Sequence, residues 1–208
     1  MDYKNFSLRL IYSIIIIFFY SIVLITNFSH VFYLIVLIYI LVCFEIYYYF
    51  NKYKLIPFIY VIISFIFFYN INFTYQIVYS FNLFILIVIS FDIFSYLVGN
   101  FFGKNTLTKF SPNKTIEGFI GGILVSFITA ILFLYYFNTN IIINIYSILF
   151  IILIILSAFI GDLIESYFKR KNNLKNSSKI LPGHGGVFDR FDSFLFSIIF
   201  YSISSNLL

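Results

Sequence analysis

Apolar runs about as long as a bilayer core is thick recur along the whole chain. They lie near 8–26, 31–50, 55–69, 77–98, 119–137, 141–160 and 191–207, and polar residues gather between them. A helix needs roughly 20 apolar residues to cross a hydrocarbon core of about 30 Å. The pattern therefore predicts an all-α polytopic membrane protein with about seven transmembrane helices. The second and third runs are close enough to form a hairpin turning at Asn51–Lys54. The first run follows Lys4 and Arg9 as a signal peptide would, but it is long and no small-x-small cleavage site follows Thr26. It reads as a retained span. The chain is expected to form one integral-membrane domain over 1–208, with N-terminal spans over about 8–69 and a more polar part over about 77–207.

Charge placement then sets the orientation. With the N-terminus cytoplasmic, segments 1–7, 51–54, 99–118 and 161–190, with their adjoining helix ends, hold all 13 Lys and Arg. The opposite loops, 27–30, 70–76 and 138–140, and the C-terminal Ser204–Leu208 hold none. The positive-inside rule gives an N-in, C-out topology with two large polar cytoplasmic loops. Composition agrees: 62% hydrophobic and 10% charged residues and a mean hydropathy of +1.02 exceed what a soluble core of this size can bury. The single cysteine, Cys43, excludes a disulfide framework, and His30 and His184 are too few for a histidine metal cluster. The net charge of +5 reads as a topology signal and an attraction to anionic phosphate, not as nucleic-acid binding.

Carboxylates follow the same geography. Asp162, Glu165, Asp189 and Asp192 flank the last large loop, Glu117 closes the previous one, and Glu45 and Asp92 lie a turn or two inside their helices. Intramembrane carboxylates are costly and mark polar cavities; the alternative is that Glu45 and Asp92 snorkel to the interface or pair with a nearby lysine. In the 99–118 loop, Ser111-Pro112 reads as an N-cap and first helical residue. Lys114 and Thr115 would then join the first-turn N–H groups in an anion site. Gly118, Gly121 and Gly122 would let the following span pack closely.

The 161–190 segment carries more chemistry. Asp162, Glu165, Ser166 and Lys169 fall at helical spacing on one face. Lys169-Arg170-Lys171, Lys175 and Lys179 precede the glycine-rich Pro182-Gly183-His184-Gly185-Gly186, and Asp189-Arg190-Phe191-Asp192 closes the segment. A basic loop alone fixes topology and attracts anionic lipid. That accounts for the lysines and leaves the carboxylates unexplained. Oxygen ligands for Mg²⁺ beside cations that neutralise phosphate suit metal-assisted phosphoryl chemistry.

The ordered set Gly161-Asp162-Leu163-Ile164-Glu165-Ser166-x-x-Lys169-Arg170, Lys175 and Pro182-Gly183-His184-Gly185-Gly186-x-x-Asp189-Arg190-x-Asp192-Ser193 closely resembles the signature of the phosphatidate cytidylyltransferase (CDP-diacylglycerol synthase) family. Gly99, Gly103-Lys104 and Ser111-Pro112-x-Lys114-Thr115-x-Glu117-Gly118 resemble a second block of that family, and Asp92 and Tyr96 its Asp-x-x-x-Tyr helix. The resemblance covers roughly residues 85–200. It implies transfer of the cytidylyl group of CTP to phosphatidate, giving CDP-diacylglycerol and pyrophosphate in phospholipid biosynthesis. It also implies Mg²⁺, with room for a second cation, and a site on the cytoplasmic face of a bacterial-type inner membrane. By the same likeness Asp162 and Asp189 are metal ligands and, with Lys175 and Asp192, catalytic. Ser111, Lys114, Thr115, Glu117, Lys169, Arg170, His184, Gly185, Gly186 and Arg190 contact substrates, and Asp92 and Glu165 are further candidates. Membrane lipid and a second copy of the chain, in a homodimer, are the other implied partners.

Three positions depart from the family pattern: Asn176 replaces the aspartate after the loop lysine, Ile116 a tryptophan, and Ser95 an alanine. A CTP-dependent polyprenol or phytol kinase is the nearest alternative, separable by CDP release in place of pyrophosphate. A transporter using Asp92 and Glu45, or an inactive relative, stands further off.

Overall fold

The computed structural model describes residues 29–71, 75–108, 111, 114–137, 144–181 and 185–205. The first expected span, Pro112 and Pro182, Gly183 and His184 lie outside the described residues. Within them the chain is all-α: α1 (Ser29–Tyr49), α2 (Leu55–Tyr69), α3 (Tyr75–Phe102), α4 (Ile116–Tyr136), α5 (Ile145–Lys171) and α6 (Phe188–Ser204). Four of these, α1, α3, α4 and α5, are long and apolar enough to cross a membrane, and α2 is a shorter apolar helix. This is an integral membrane protein.

The apolar run at 55–69 coincides with α2, and α1, α3, α4 and α6 agree with their runs to within a few residues at most ends. The exception is α5, which continues past the expected limit near 160 to Lys171. Nothing in Gly161–Lys171 breaks a helix, and Lys169, Arg170 and Lys171 in the last turn complement the negative end of its dipole. It stops at Asn173, whose φ of 58° is left-handed. Leu174 N–H donates to the Lys169 carbonyl at 2.9 Å and Asn173 N–H to that of Arg170 at 3.1 Å. This is a Schellman closure with asparagine in the usual glycine position.

The chain divides into two compact units, residues 1–62 with 168–191 and residues 63–167 with 192–208. In the first, Val42, Ile46, Phe50 and Phe188 are buried, and the Phe50 and Phe188 rings meet edge-on at 6.0 Å. The Asn172 side-chain carbonyl accepts from Lys52 N–H at 3.3 Å and Tyr53 N–H at 3.2 Å, tying the turn after α1 to the end of α5.

The second unit is built around α3 and α4. One stripe of α4, Gly118, Gly122, Ser126, Ala130 and Leu134, is buried. Two residues along from each of the first four, Ile120, Leu124, Ile128 and Leu132 are exposed, forming an apolar stripe suited to lipid. A Cβ at Gly118 would lie 2.5 Å from the Ser95 carbonyl oxygen, and one at Gly121 2.6 Å from a Val98 methyl. The glycines thus let α4 approach the backbone of α3, as expected from the sequence, where packing rather than hydrophobic exclusion holds helices together. Polar links supplement it. Ser80 and Tyr201 share a hydrogen bond of 2.9 Å, Thr129 donates to Ser90 at 3.2 Å, and Ser64 to the Leu195 carbonyl at 2.6 Å.

Gly118→Val places two methyls against the Ser95 carbonyl. We expect it to destabilise the protein by about 1–3 kcal/mol, the range for overpacking a tight contact, read as a lower thermal midpoint in detergent.

Candidate active site

Three carboxylates converge in the second unit. Asp162 and Glu165 lie on adjacent turns of α5, and Asp192 lies in the second turn of α6. One ligand oxygen from each falls within 4.8 Å of the other two. The close approach is possible because position 161 is glycine. A Cβ there would sit 2.7 Å from the Asp192 carbonyl oxygen and 2.9 Å from Phe196 Cβ. Glu165 is fully buried and Asp192 only 9% exposed. Lys114 forms an ion pair with Asp162. Carboxylates this close repel one another, and a proton or a cation among them relieves the repulsion. The donors are all hard carboxylate oxygens, the set that suits Mg²⁺. Asp92 supports the group from α3: its carboxylate accepts from the Ser193 hydroxyl at 2.8 Å, while Ser193 N–H donates to Asp192 at 2.8 Å.

The loop after α3 presents Lys114 to this group, though not by the expected N-cap. Helix α4 starts at Ile116, capped by Thr115, whose hydroxyl oxygen accepts from Gly118 N–H at 3.1 Å. Ser111 lies before the helix. The reason is the loop's own hydrogen bonding. Leu107 N–H donates to the Lys114 carbonyl at 2.8 Å and Ile116 N–H to that of Asn105 at 3.0 Å, an extended pairing that keeps Lys114 and Thr115 out of the helix. Glu117 secures it by accepting from Lys104 N–H at 3.1 Å and from the Asn105 side chain at 2.9 Å. A Cβ at Gly103 would lie 2.7 Å from the Thr115 hydroxyl. Thr115 and Glu117 thus spend these contacts on shaping the loop. Ser111 forms its inner turn, accepting from Lys114 N–H at 3.1 Å.

In the first unit, Asp189 organises the glycine-rich loop. Its carboxylate accepts from Lys169 at 2.8 Å, from Ser177 N–H at 2.9 Å and from Gly186 N–H at 2.8 Å. Gly185 has a φ of +87°, and a Cβ there would collide with the Asp189 carboxylate, so both backbone shape and space require glycine. Asp189 is therefore not one of the three clustered carboxylates; Glu165 and Asp192 accompany Asp162 there. Arg170, Lys175 and Arg190 are exposed, with Arg170 donating to the Leu174 carbonyl at 3.3 Å. His184 lies outside the described residues.

Glu45 does not snorkel, and among the described residues it meets no lysine. It is fully buried and accepts from the hydroxyls of Ser177 and Ser178 and from Val187 and Phe188 N–H. Its partners lie more than 130 residues away, beyond the reach of any local pattern.

Comparison with known proteins decides the family. A model of the cytidylyltransferase family matches residues 2–208. The chain belongs to that family. Proteins named phosphatidate cytidylyltransferase from Staphylococcus haemolyticus (strain JCSC1435) and Staphylococcus aureus (strain COL) are each 51% identical over 105 residues, and one from Staphylococcus saprophyticus is 49% identical over the same length. Each match takes in 49% of this chain and 39% of the relative, so the chain spans well under half the length of the relatives it matches.

For this cytidylyltransferase-family chain, Glu165→Gln should weaken divalent-cation binding by at least about tenfold, since even outer partners of a metal ligand contribute that much. Mn²⁺ titration followed by electron paramagnetic resonance measures it.

Proposed function

We propose that this protein transfers the cytidylyl group of CTP to phosphatidate, releasing pyrophosphate and leaving CDP-diacylglycerol in the membrane. The observation that supports it best is the buried group of Asp162, Glu165 and Asp192 facing Lys114, in a chain of the cytidylyltransferase family. Two anionic substrates must be brought together, so charge neutralisation and positioning are the main requirements. The phosphate of phosphatidate is already a nucleophile and needs no strong base.

In this reading Asp162, with Glu165 and Asp192, holds Mg²⁺. When bound, that ion polarises the attacked phosphorus and offsets phosphate charge. Asp189 is the second aspartate of the motif and a ligand for a second cation. Lys114 turns from Asp162 towards the CTP phosphates, and Lys169, Arg170, Lys175 and Arg190 supply positive charge along the loop. Ser111, Thr115 and Glu117 shape the wall behind Lys114. His184, Gly185 and Gly186 bring backbone and imidazole to the substrate. The chain functions as one membrane domain of seven spans, N-in and C-out, with its site on the cytoplasmic face of a bacterial inner membrane and a second copy as partner in a homodimer.

Purified protein given CTP, Mg²⁺ and phosphatidate should form CDP-diacylglycerol and pyrophosphate in equal amounts. Asp162→Asn should lower kcat by about 100-fold or more, the scale for losing a preorganised electrostatic contact. Asp189→Ala should lower it as well. Release of CDP in place of pyrophosphate overturns the reaction, and an Asp189→Ala protein matching the wild type overturns that residue's role.

A further inference from the structure

The glycine-rich loop leaves α5 through Ser177 and Ser178 and returns to α6 through Val187 and Phe188, so its shape depends on what holds those two arms together. One rung is backbone: Leu181 N–H donates to the Gly185 carbonyl at 2.9 Å. A second is Asp189, which takes N–H groups from both arms at Ser177 and Gly186. The third comes from the N-terminal part of the chain. One oxygen of Glu45 accepts from the Ser178 hydroxyl at 2.6 Å and Val187 N–H at 2.7 Å, and the other from the Ser177 hydroxyl at 3.1 Å and Phe188 N–H at 2.8 Å. Each carboxylate oxygen therefore bridges the two arms.

The packing is as tight as the bonding. A Cβ on Gly186 would lie 2.7 Å from both Glu45 oxygens and collide with the Ser177 hydroxyl. Glycine at 186 is thus required by the carboxylate on α1, in addition to any contact it makes with a ligand. Val187 and Phe188 also open α6, where N–H groups lack helical partners. Glu45 caps that end from another helix, and its negative charge suits the positive end of the α6 dipole. A carboxylate buried this deeply is tolerated only when its acceptor positions are filled, and here four donors fill them.

We propose that Glu45 is a positioning residue that clamps the two arms, 177–181 and 185–188, and holds them in the spacing that substrate binding uses. The part concerning substrate rests on the reading of the site as a cytidylyltransferase; the clamp itself does not. Glutamine at 45 keeps the volume but turns one acceptor oxygen into a donor. A backbone N–H of the returning arm then loses its acceptor and faces another donor, while the serine hydroxyl can turn to accept. The hold on that arm weakens.

The test uses the full-length protein in detergent micelles. The loop carries its own protease sites at the exposed Lys175 and Lys179. In Glu45→Gln, tryptic cleavage there should accelerate about tenfold while the thermal midpoint moves little, and the KM for CTP should rise at least fivefold with a smaller change in kcat. Glu45→Asp should restore part of the protection, because it keeps the charge and both acceptors. If Glu45→Gln does not accumulate, Ser178→Ala carries the same test, since it removes the shortest of the four bonds. Cleavage and KM both equal to wild type overturn the proposal. Cleavage unchanged while thermal midpoint and kcat fall together also overturns it, because Glu45 would then support the fold at large. Faster cleavage in a protein that, like the wild type, makes no CDP-diacylglycerol supports the clamp and refutes the cytidylyltransferase reading.

Discussion

A carboxylate withdrawn from water inside a membrane protein has to be met by donors or cations, and this protein buries several. In water an unpaired carboxylate costs nothing to expose, whereas in a buried site its desolvation amounts to several kcal/mol before any partner is counted. Each buried carboxylate therefore dictates the local structure around it. Glu45 draws in two hydroxyls and two backbone amides, and so fixes a loop. Asp189 draws in an ammonium and two amides, and so fixes the start of α6. Asp162, Glu165 and Asp192 gather within 4.8 Å of one another, with Lys114 paired to Asp162. Glu45 is filled by neutral donors of the fold, whereas the last group offers hard oxygen atoms of the kind a divalent cation takes.

That contrast separates scaffolding from chemistry more sharply than burial does. Glu45 and Glu165 are both fully buried. Glu45 meets two hydroxyls and two backbone amides that are all neutral donors, fixed by the fold, so its oxygens are already occupied when a substrate arrives. Glu165 instead lies with Asp162 and Asp192, one ligand oxygen from each within 4.8 Å of the others, a set of hard oxygens that suits a divalent cation. The glycine at 161 points the same way, since a side chain there would push α6 from α5 and open the group. In an apolar bundle, such close approach of backbones is one of the few ways to bring charged side chains within ligand distance without exposing them to lipid.

Much of this was readable in the chain because the bilayer makes the code simple. Apolar length sets the spans, and the 55–69 run became α2 without change. The helical spacing of Asp162, Glu165 and Lys169 was visible too. What the apolar pattern hid was that α5 carries them, because a hydropathy boundary marks where lipid ends, and a helix needs no lipid to continue. The cap of α4 was misplaced for a different reason. Ser111-Pro112 is a sound local signal, but the pairing of 105–107 with 114–116 and the grip of Glu117 on Lys104 and Asn105 are medium-range contacts that override it. Asp162, Glu165 and Asp192 lie together, while Asp189 accepts from both arms of the loop.

Glu45 shows where reading along the chain stops. A lone glutamate inside an apolar run looks the same whether it lines a pathway, snorkels or holds a distant loop. Its hydrogen-bond partners are separated from it by 132 to 143 positions, and nothing in its neighbours Phe44 and Ile46 announces them. The sign was on the other side of the contact, in the loop. Ser177-Ser178 and Gly186 are small residues flanking a glycine turn, and small polar residues at both ends of a loop leave room for a third party. Glycine at 186 has a reason visible in the fold, the Glu45 carboxylate and the Ser177 hydroxyl that a side chain would meet. Helix α1 thus reaches the loop through Glu45, beside the packing of Phe50 on Phe188, which ties a stretch read only by its hydropathy to the part that carries the motif.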